Sequence, residues 1–137
     1  MGAPENKRLM QRIFAGLAEG DSHLFVDSMA DDFSWTVTGS TKWSRTYIGK
    51  QAVLRDLFGA LRTRIDGRVR TVAHRFIAEG DYVVVEARGN NKTVDGKPYN
   101  NSYCFVFRLE GETLKEVTEY IDTELVTSSL GGGQAPA

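Results

Sequence analysis

The apolar residues of this chain change their spacing once, near residue 67, and that change sets the fold class. Before it they recur every three or four positions, as Leu9, Ile13 and Leu17 do, which is the pattern of amphipathic helices. After it, from Arg68 to Leu125, apolar and polar residues largely alternate, which is the pattern of strands. Helices followed by hairpin-connected strands predict an α+β fold, in which a curved antiparallel sheet wraps around the N-terminal helices.

The individual elements can be placed from the same patterns and from the turn residues between them. Helices are expected over residues 5–19, over a short segment that ends near residue 29, and from Gly49 to Leu61. Strands are expected over residues 33–38, 69–78, 82–91, 99–109 and 113–125. The length of 137 residues fits a single domain, which we place at residues 1–127, followed by a flexible Gly-rich tail at 128–137.

Composition excludes several classes of function. A formal net charge of −1 gives no electrostatic case for nucleic-acid binding, and the arginines at 62, 64, 68 and 70 are interpreted as a solvated turn and strand start. One cysteine, Cys104, allows no internal disulfide, and no cluster of metal ligands is evident, so neither a metal nor a cofactor is expected. Without a signal peptide or a membrane-spanning run, the chain is expected to be cytoplasmic and not membrane-bound.

A bent sheet folded around a helix leaves a cone-shaped space, and one strand has the residues to line it. Asn101, Tyr103, Phe105 and Phe107 share a face, which we expect to be the concave one because aromatic rings need burial. Trp35 is either a wall of this pocket or a simple core residue. The alternative for the whole set is that the rings fill the core and leave no cavity.

The last strand places a carboxylate among aliphatic side chains. Val117, Glu119 and Ile121 point to one face, and Asp122 points to the other. A glutamate in that position is either solvated at a rim or buried with a partner, and a buried carboxylate with a perturbed pKa can perform proton chemistry. Glu119 is therefore the candidate catalytic residue, with Asp122 as the second choice.

The strand at 82–91 allows two orientations. If its aliphatic residues face inward, Glu86 and Arg88 form a pair on the outer surface. If instead Glu86 and Arg88 face inward, they join Glu119 in a cluster in which the guanidinium keeps one carboxylate ionised while burial raises the pKa of the other. Both orientations remain open at this point, and both residues are kept as candidates for the catalytic site.

Residues 7–125 resemble the SnoaL-like, ketosteroid-isomerase-like branch of the nuclear transport factor 2-like superfamily. The resemblance is carried by AEGD at the end of the first helix, by ADDFSWTVTGS, by YIGKQAVL and by the block YNNSYCFVFRLEGETLKEVTEYIDTEL. It implies a cone-shaped pocket under a curved sheet, as in a cystatin-like α+β barrel, and a homodimer that packs through the sheet. A small apolar molecule is the expected ligand of such a pocket.

The resemblance departs from the best-known catalytic sets of the superfamily. Ile13 stands where ketosteroid isomerases have a tyrosine, Phe105 falls near their oxyanion-hole aspartate, and residues 36–38 contain no acid in place of their base. Limonene epoxide hydrolases are also similar, and their last-strand aspartate falls on Glu119, but Trp35 and Val37 replace their water-positioning tyrosine and asparagine.

Two hypotheses follow. The first is a cofactor-independent isomerase, cyclase or hydrolase, akin to polyketide cyclases, that acts on a ring-containing molecule with Glu119 as acid and base. Its pocket would be lined by Trp35, Asn101, Tyr103, Phe105, Val117 and Ile121. The second is a non-catalytic module of the same fold, for binding a small ligand or for dimeric association.

Overall fold

A computed structural model describes residues 2–131, and its helices lie where the helical spacing predicts them. Helix α1 spans Ala3–Ala18 and α2 spans His23–Ser28. Helix α3 consists of three consecutive segments, Lys50–Ala52, a π-helical segment Val53–Phe58, and Gly59–Arg62. Helix α4 spans Thr123–Leu130 and follows the last strand.

Six strands form one open, curved sheet. They are β1 (Met29–Val37), β2 (Thr46–Ile48), β3 (Thr71–Glu79), β4 (Tyr82–Gly89), β5 (Ser102–Glu110) and β6 (Thr113–Ile121). Their order in the sheet is β2-β1-β6-β5-β4-β3. All neighbours are antiparallel except β1 and β6, which run parallel. After β2 at one edge, the chain passes through α3 to β3 at the opposite edge and returns strand by strand to β6 beside β1.

The core lies between α1 and the concave face of the sheet. The apolar stripe of α1 is buried, and Phe14 from that stripe packs against Phe76, Phe105 and Phe107, with ring centroids 5.8 to 6.1 Å apart. Phe107 is fully buried, as are aliphatic residues such as Met10 and Ile13. Edge-to-face and tilted ring pairs of this kind stabilise the packing beyond the area they bury.

The predicted α+β class, with a curved sheet around N-terminal helices, is confirmed, but two features of the sheet differ. The sheet is mixed rather than antiparallel, because β1 and β6 pair in parallel. The short strand β2 lies between the strand predicted at 33–38 and the helix predicted from Gly49, where no strand was expected, since three residues give too little alternation to detect. It pairs with β1, with Tyr47 opposite Trp35.

The end of the chain also differs from its prediction. The last strand stops at Ile121 rather than at residue 125, because the Asp122 side chain accepts hydrogen bonds from the backbone N–H groups of Glu124 and Leu125 and so starts α4. Helix α4 continues to Leu130, which is buried, so residues 128–130 are not part of a tail. The rest of the predicted tail, from residue 132 onward, lies outside the described residues.

Candidate functional site

A cavity of about 330 Å³ lies between the concave face of the sheet and the four helices. Its wall is mainly apolar and aromatic, and it includes Phe14, Phe25, Trp35, Trp43, Phe58, Tyr99, Tyr103, Phe105 and Phe107. The interpretation in which these rings fill the core and leave no cavity is therefore wrong. Trp35, for which two roles were open, lies in the cavity wall.

Glu119 lies in this wall, on β6, with apolar neighbours on both sides. In the sheet register it stands opposite Phe105 of β5 and Val37 of β1, and both of these also line the cavity. Only 9% of Glu119 is exposed. The carboxylate oxygen Oε1 accepts a hydrogen bond of 2.7 Å from the indole N–H of Trp35. Glu119 is therefore buried with a hydrogen-bond partner, rather than solvated at a rim.

Burial governs the protonation of Glu119. Loss of hydration disfavours the charged form and raises the pKa of the carboxyl group to about 7, while the Trp35 hydrogen bond acts in the opposite direction. A carboxyl group with this pKa is present in both protonated and ionised forms near neutral pH. It can therefore give up a proton and also take one.

Two tyrosines add hydroxyl groups near the carboxyl. The Tyr103 ring stacks on Phe105, with centroids 5.0 Å apart and planes 11° from parallel. Burial raises the pKa of Tyr103 well above its usual value and that of Tyr99 to about 12, so both hydroxyls stay protonated at neutral pH. Each of the two tyrosines also affects the pKa of the other. Two tyrosines with neutral hydroxyl groups thus line the same cavity as Glu119.

Asn101 was predicted to line the pocket, but it performs a structural role instead. Its amide nitrogen donates to the Tyr99 hydroxyl at 3.0 Å, and its Oδ1 accepts from the backbone N–H groups of Ser102 and Asp122. The side chain is fully buried and does not line the cavity. Its position indicates that it fixes the start of β5 to the end of β6 and orients Tyr99.

The cluster of Glu86, Arg88 and Glu119 does not form. On β4 the residues Val83, Val85 and Ala87 are buried, so Glu86 and Arg88 lie on the opposite, outer face of the sheet. Glu86 there makes an ion pair with Arg75 at 2.9 Å. The prediction that places the aliphatic residues of β4 inward is correct. Val85 is paired with Phe105 of β5, and paired residues on neighbouring strands point to the same face of the sheet.

The other predicted site residues are divided between the wall, the core and the surface. Ile121 lines the cavity, whereas Val117 is buried in the core without reaching it. Asp122 is exposed and caps α4, so its carboxylate is occupied by backbone donors rather than directed into the cavity. Glu119 is the one carboxylic acid that lines this cavity within residues 2–131.

Several wall residues were missed by sequence reasoning. Trp43 lies in a segment for which no helix or strand was predicted. Val126 and Leu130 lie on α4, but Val126 follows the predicted end of the last strand and Leu130 fell in the predicted tail. The aromatic character of Trp43 was a usable signal, since a tryptophan in a loop needs a buried environment. Arg62 and Arg68, assigned to a solvated turn, also line the cavity.

Replacement of Trp35 with phenylalanine is expected to raise the pKa of Glu119 above its wild-type value. The substitution keeps an aromatic wall but removes the N–H donor that favours the ionised carboxylate. A hydrogen bond to a charged group is worth about 1.5–3 kcal/mol, so the titration midpoint should rise by about one pH unit or more. The midpoint can be measured by NMR from the side-chain carboxyl carbon of Glu119.

Trp43→Phe is the matched control for this experiment. Trp43 lines the same cavity, but its indole N–H has no hydrogen-bond partner in the described part of the chain. The midpoint of Glu119 should therefore stay close to the wild-type value in Trp43→Phe. Equal shifts in both variants would show that loss of indole volume, rather than loss of the hydrogen bond, controls the pKa.

Within residues 2–131 there is no group of three His, Cys, Asp or Glu side chains placed to hold a metal ion. In the same range, no helix is long and apolar enough to cross a membrane.

Comparison with known proteins places this chain in a family. The model of the SnoaL-like domain matches residues 10–117. An NTF2-like protein from Burkholderia thailandensis has a TM-score of 0.79 and 20% identity, with 95% of this chain and 98% of that chain covered. A candidate SnoaL-like polyketide cyclase from a Jannaschia species has a TM-score of 0.72 and 16% identity, with 94% and 93% covered.

A candidate isomerase from Bacillus subtilis is similar to the same degree, with a TM-score of 0.73, 18% identity and coverage of 97% and 98%. Comparison with curated proteins gave no match. The structural likenesses, all at low identity, establish a shared nuclear transport factor 2-like cone fold, and the family model covers most of the sequence. The chain belongs to the SnoaL-like domain family.

Proposed function

We propose that this protein binds a small, apolar, ring-containing molecule in its cavity and that Glu119 transfers a proton to or from it. The observation that carries the proposal is a carboxyl group with a pKa of about 7 in the wall of an aromatic cavity. A general acid or base works best when its pKa lies near the operating pH, and an ordinary surface glutamate does not meet that condition.

The contacts of Glu119 support a role in proton transfer. Trp35 occupies Oε1 and so orients the carboxyl group, while Oε2 has no hydrogen-bond partner among the described residues and is left for a ligand. Tyr99 and Tyr103 line the same cavity with neutral hydroxyl groups, and this pair supplies a donor for a carbonyl or enol oxygen on the ligand. An acid or base beside a hydrogen-bond donor is the arrangement that enolisation of a ketone requires.

The size and lining of the cavity support a flat apolar ligand. Its volume of about 330 Å³ lies in the range of sites that hold small organic molecules. Tyr103 and Phe105 are stacked, and Trp35 meets Phe105 nearly edge-on at 6.1 Å, so the wall presents broad ring faces. The similar structures described as a candidate polyketide cyclase and a candidate isomerase support the same class of chemistry, since cyclisation and isomerisation both move protons.

The proposal can be tested with simple ketones in place of the natural substrate. A panel of cyclic and aromatic ketones is incubated with the protein in D₂O near neutral pD, and deuterium incorporation beside the carbonyl is measured by mass spectrometry. Binding is followed in parallel by the rise in melting temperature. We expect at least one compound that stabilises the protein and exchanges only when the protein is present. If no compound of the panel binds, the proposed function is wrong.

One observation favours the second candidate, a non-catalytic binding protein. Glu119 is the one acid in the cavity wall within residues 2–131, and no second ionisable side chain is hydrogen-bonded to it there. Compounds that bind without any protein-dependent exchange would support this alternative and exclude proton transfer on them.

We also propose a homodimer that packs through the outer face of the sheet. The support is a set of large apolar side chains exposed on β3, β4 and β6, namely Val72, Ile77, Tyr82 and Tyr120. Faces of this kind mark association surfaces when they are contiguous. Light scattering decides between this dimer and a monomer of 15.2 kDa.

A further inference from the structure

We propose that the cavity selects ligands with an anionic group, which Arg62 and Arg68 bind at its mouth while the apolar part lies against the aromatic wall. The inference rests on the proposed function in one respect only, that a small apolar molecule enters this cavity. It adds the chemical class of that molecule and the direction in which it enters.

The two arginines are brought to the same rim by the segment between α3 and β3. Arg62 is the last residue of α3, and Arg68 follows the turn at Gly67. Both residues are exposed and both line the cavity, which places them where it meets solvent. The rest of the wall is mainly apolar, so the cavity has an apolar interior and a cationic mouth.

Arg68 is held against the end of α1 by close packing. A Cβ atom on Gly20 would lie 2.8 Å from the Arg68 Cβ, closer than side chains can approach. Gly20 also has a φ of +78°, which glycine adopts without strain. The absence of a side chain at residue 20 thus allows Arg68 to lie directly on the backbone at the mouth, and Gly20 itself lines the cavity.

The charges of the two arginines are not neutralised within the part of the chain that the structure describes. Elsewhere on the surface, Arg8, Arg45, Arg55, Arg75 and Arg108 each lie within 4.0 Å of a carboxylate. Arg62 and Arg68 have no ion pair of this kind with any of residues 2–131. Their guanidinium groups are therefore free to form charge-assisted hydrogen bonds with an anion from outside.

Glu119 does not compete for these arginines. Glu119 is buried, with 9% of the residue exposed, and its carboxylate is hydrogen-bonded to Trp35, whereas Arg62 and Arg68 are exposed, so the carboxyl group lies deeper in the cavity than the two arginines. A ligand could then place its anionic group at the mouth and its reactive ring beside Glu119. This arrangement fixes which end of the molecule reaches the acid.

A matched pair of fluorescent probes tests the inference. Both 8-anilinonaphthalene-1-sulfonate and N-phenyl-1-naphthylamine have the same ring system, but only the first has an anionic group. The wild-type protein should bind the sulfonate about tenfold or more tightly than the neutral amine at low salt, and the preference should shrink at high salt. In the double variant Arg62→Gln, Arg68→Gln the preference should disappear, while affinity for the neutral probe stays unchanged.

The control is the double variant Arg12→Gln, Arg88→Gln, which changes the net charge equally. Both arginines are exposed and neither lines the cavity, so the preference should be retained. Circular dichroism of each variant checks the fold.

The outcomes separate this inference from the proposed function. If the neutral probe binds and the sulfonate binds no better, the anionic preference is wrong while a cavity for apolar molecules remains. A preference that falls equally in both double variants would reflect the overall charge of the protein and would overturn the role of Arg62 and Arg68. If neither probe binds, the inference and the proposed function both fail.

Discussion

Glu119→Gln is expected to lower protein-dependent deuterium incorporation by about 100-fold or more on any compound that the wild-type protein exchanges. Glutamine matches glutamate in size and can still accept the Trp35 hydrogen bond through its amide oxygen, but it cannot take up or release a proton at neutral pH. General acid and base groups contribute about 10²–10⁴-fold to rates, which sets the expected loss. Affinity for the compound should change much less, because the aromatic wall is intact.

Asp122→Asn is the matched control for this loss. Asp122 is three residues further along the chain and was the second candidate acid, but its side chain caps α4 from an exposed position. Asparagine caps helices about as well as aspartate, so both exchange and stability should stay near wild type. Equal exchange in the wild type and in Glu119→Gln would remove Glu119 from the chemistry, and a large loss confined to Asp122→Asn would assign the proton transfer to Asp122 instead.

The second large effect concerns stability and pH. The pKa of Glu119 is raised from an ordinary value of 4.5 to about 7 in the folded protein, so folded molecules keep a proton that unfolded molecules have already lost. The contribution to stability is fully present below about pH 4.5 and is lost as the pH rises through about 7. A displacement of this size corresponds to about 3 kcal/mol in the free energy of unfolding.

Urea unfolding of the wild type and of Glu119→Gln, from about pH 4.5 to about pH 8, measures this effect. The difference between the two proteins cancels the contributions of the other titrating groups. We expect the wild type to lose about 3 kcal/mol relative to Glu119→Gln over this interval, because glutamine does not become charged. Parallel pH profiles would show that the carboxyl group ionises as easily in the folded protein as in the unfolded one.

Local alternation was enough to predict the parts of the site that lie on β5 and β6. The inward faces of Tyr103, Phe105 and Glu119 follow from the two-residue period of a strand, and the need to bury aromatic rings selects the concave face. The orientation of β4 was open between two patterns, and the aliphatic one is correct, since burying Val83 and Val85 costs no hydration of charge while burying Glu86 would.

The partner of Glu119 could not be predicted in the same way. Trp35 is 84 residues away in sequence, and it reaches the carboxylate only because β1 joins the sheet in parallel beside β6. Because the sheet was predicted to be purely antiparallel, the parallel pairing of β1 with β6 was not expected, and neither was the contact of Trp35 with Glu119. The arginines at the mouth were missed for a related reason, because their position depends on where the segment before β3 meets the end of α1.

Helix α4 was not predicted, because a single residue determines where the strand ends and the helix begins. Asp122 continues the alternating pattern of β6, but as a helix N-cap it ends the strand and starts α4. Asn101 shows the same limit, since an amide on the predicted pocket face is occupied by hydrogen bonds to three neighbouring groups. Side-chain to backbone hydrogen bonds of this kind leave little trace in a pattern of apolar and polar residues.

The most direct test of a neutral-pH acid in the cavity is an NMR titration of the Glu119 side-chain carboxyl carbon in the otherwise unmodified protein. Assignment follows from the one carboxyl resonance that disappears in Glu119→Gln. A midpoint at about pH 7 is expected from the burial of the group beside Trp35. A midpoint close to the ordinary value of 4.5 would contradict both the buried environment and the proton chemistry proposed for it.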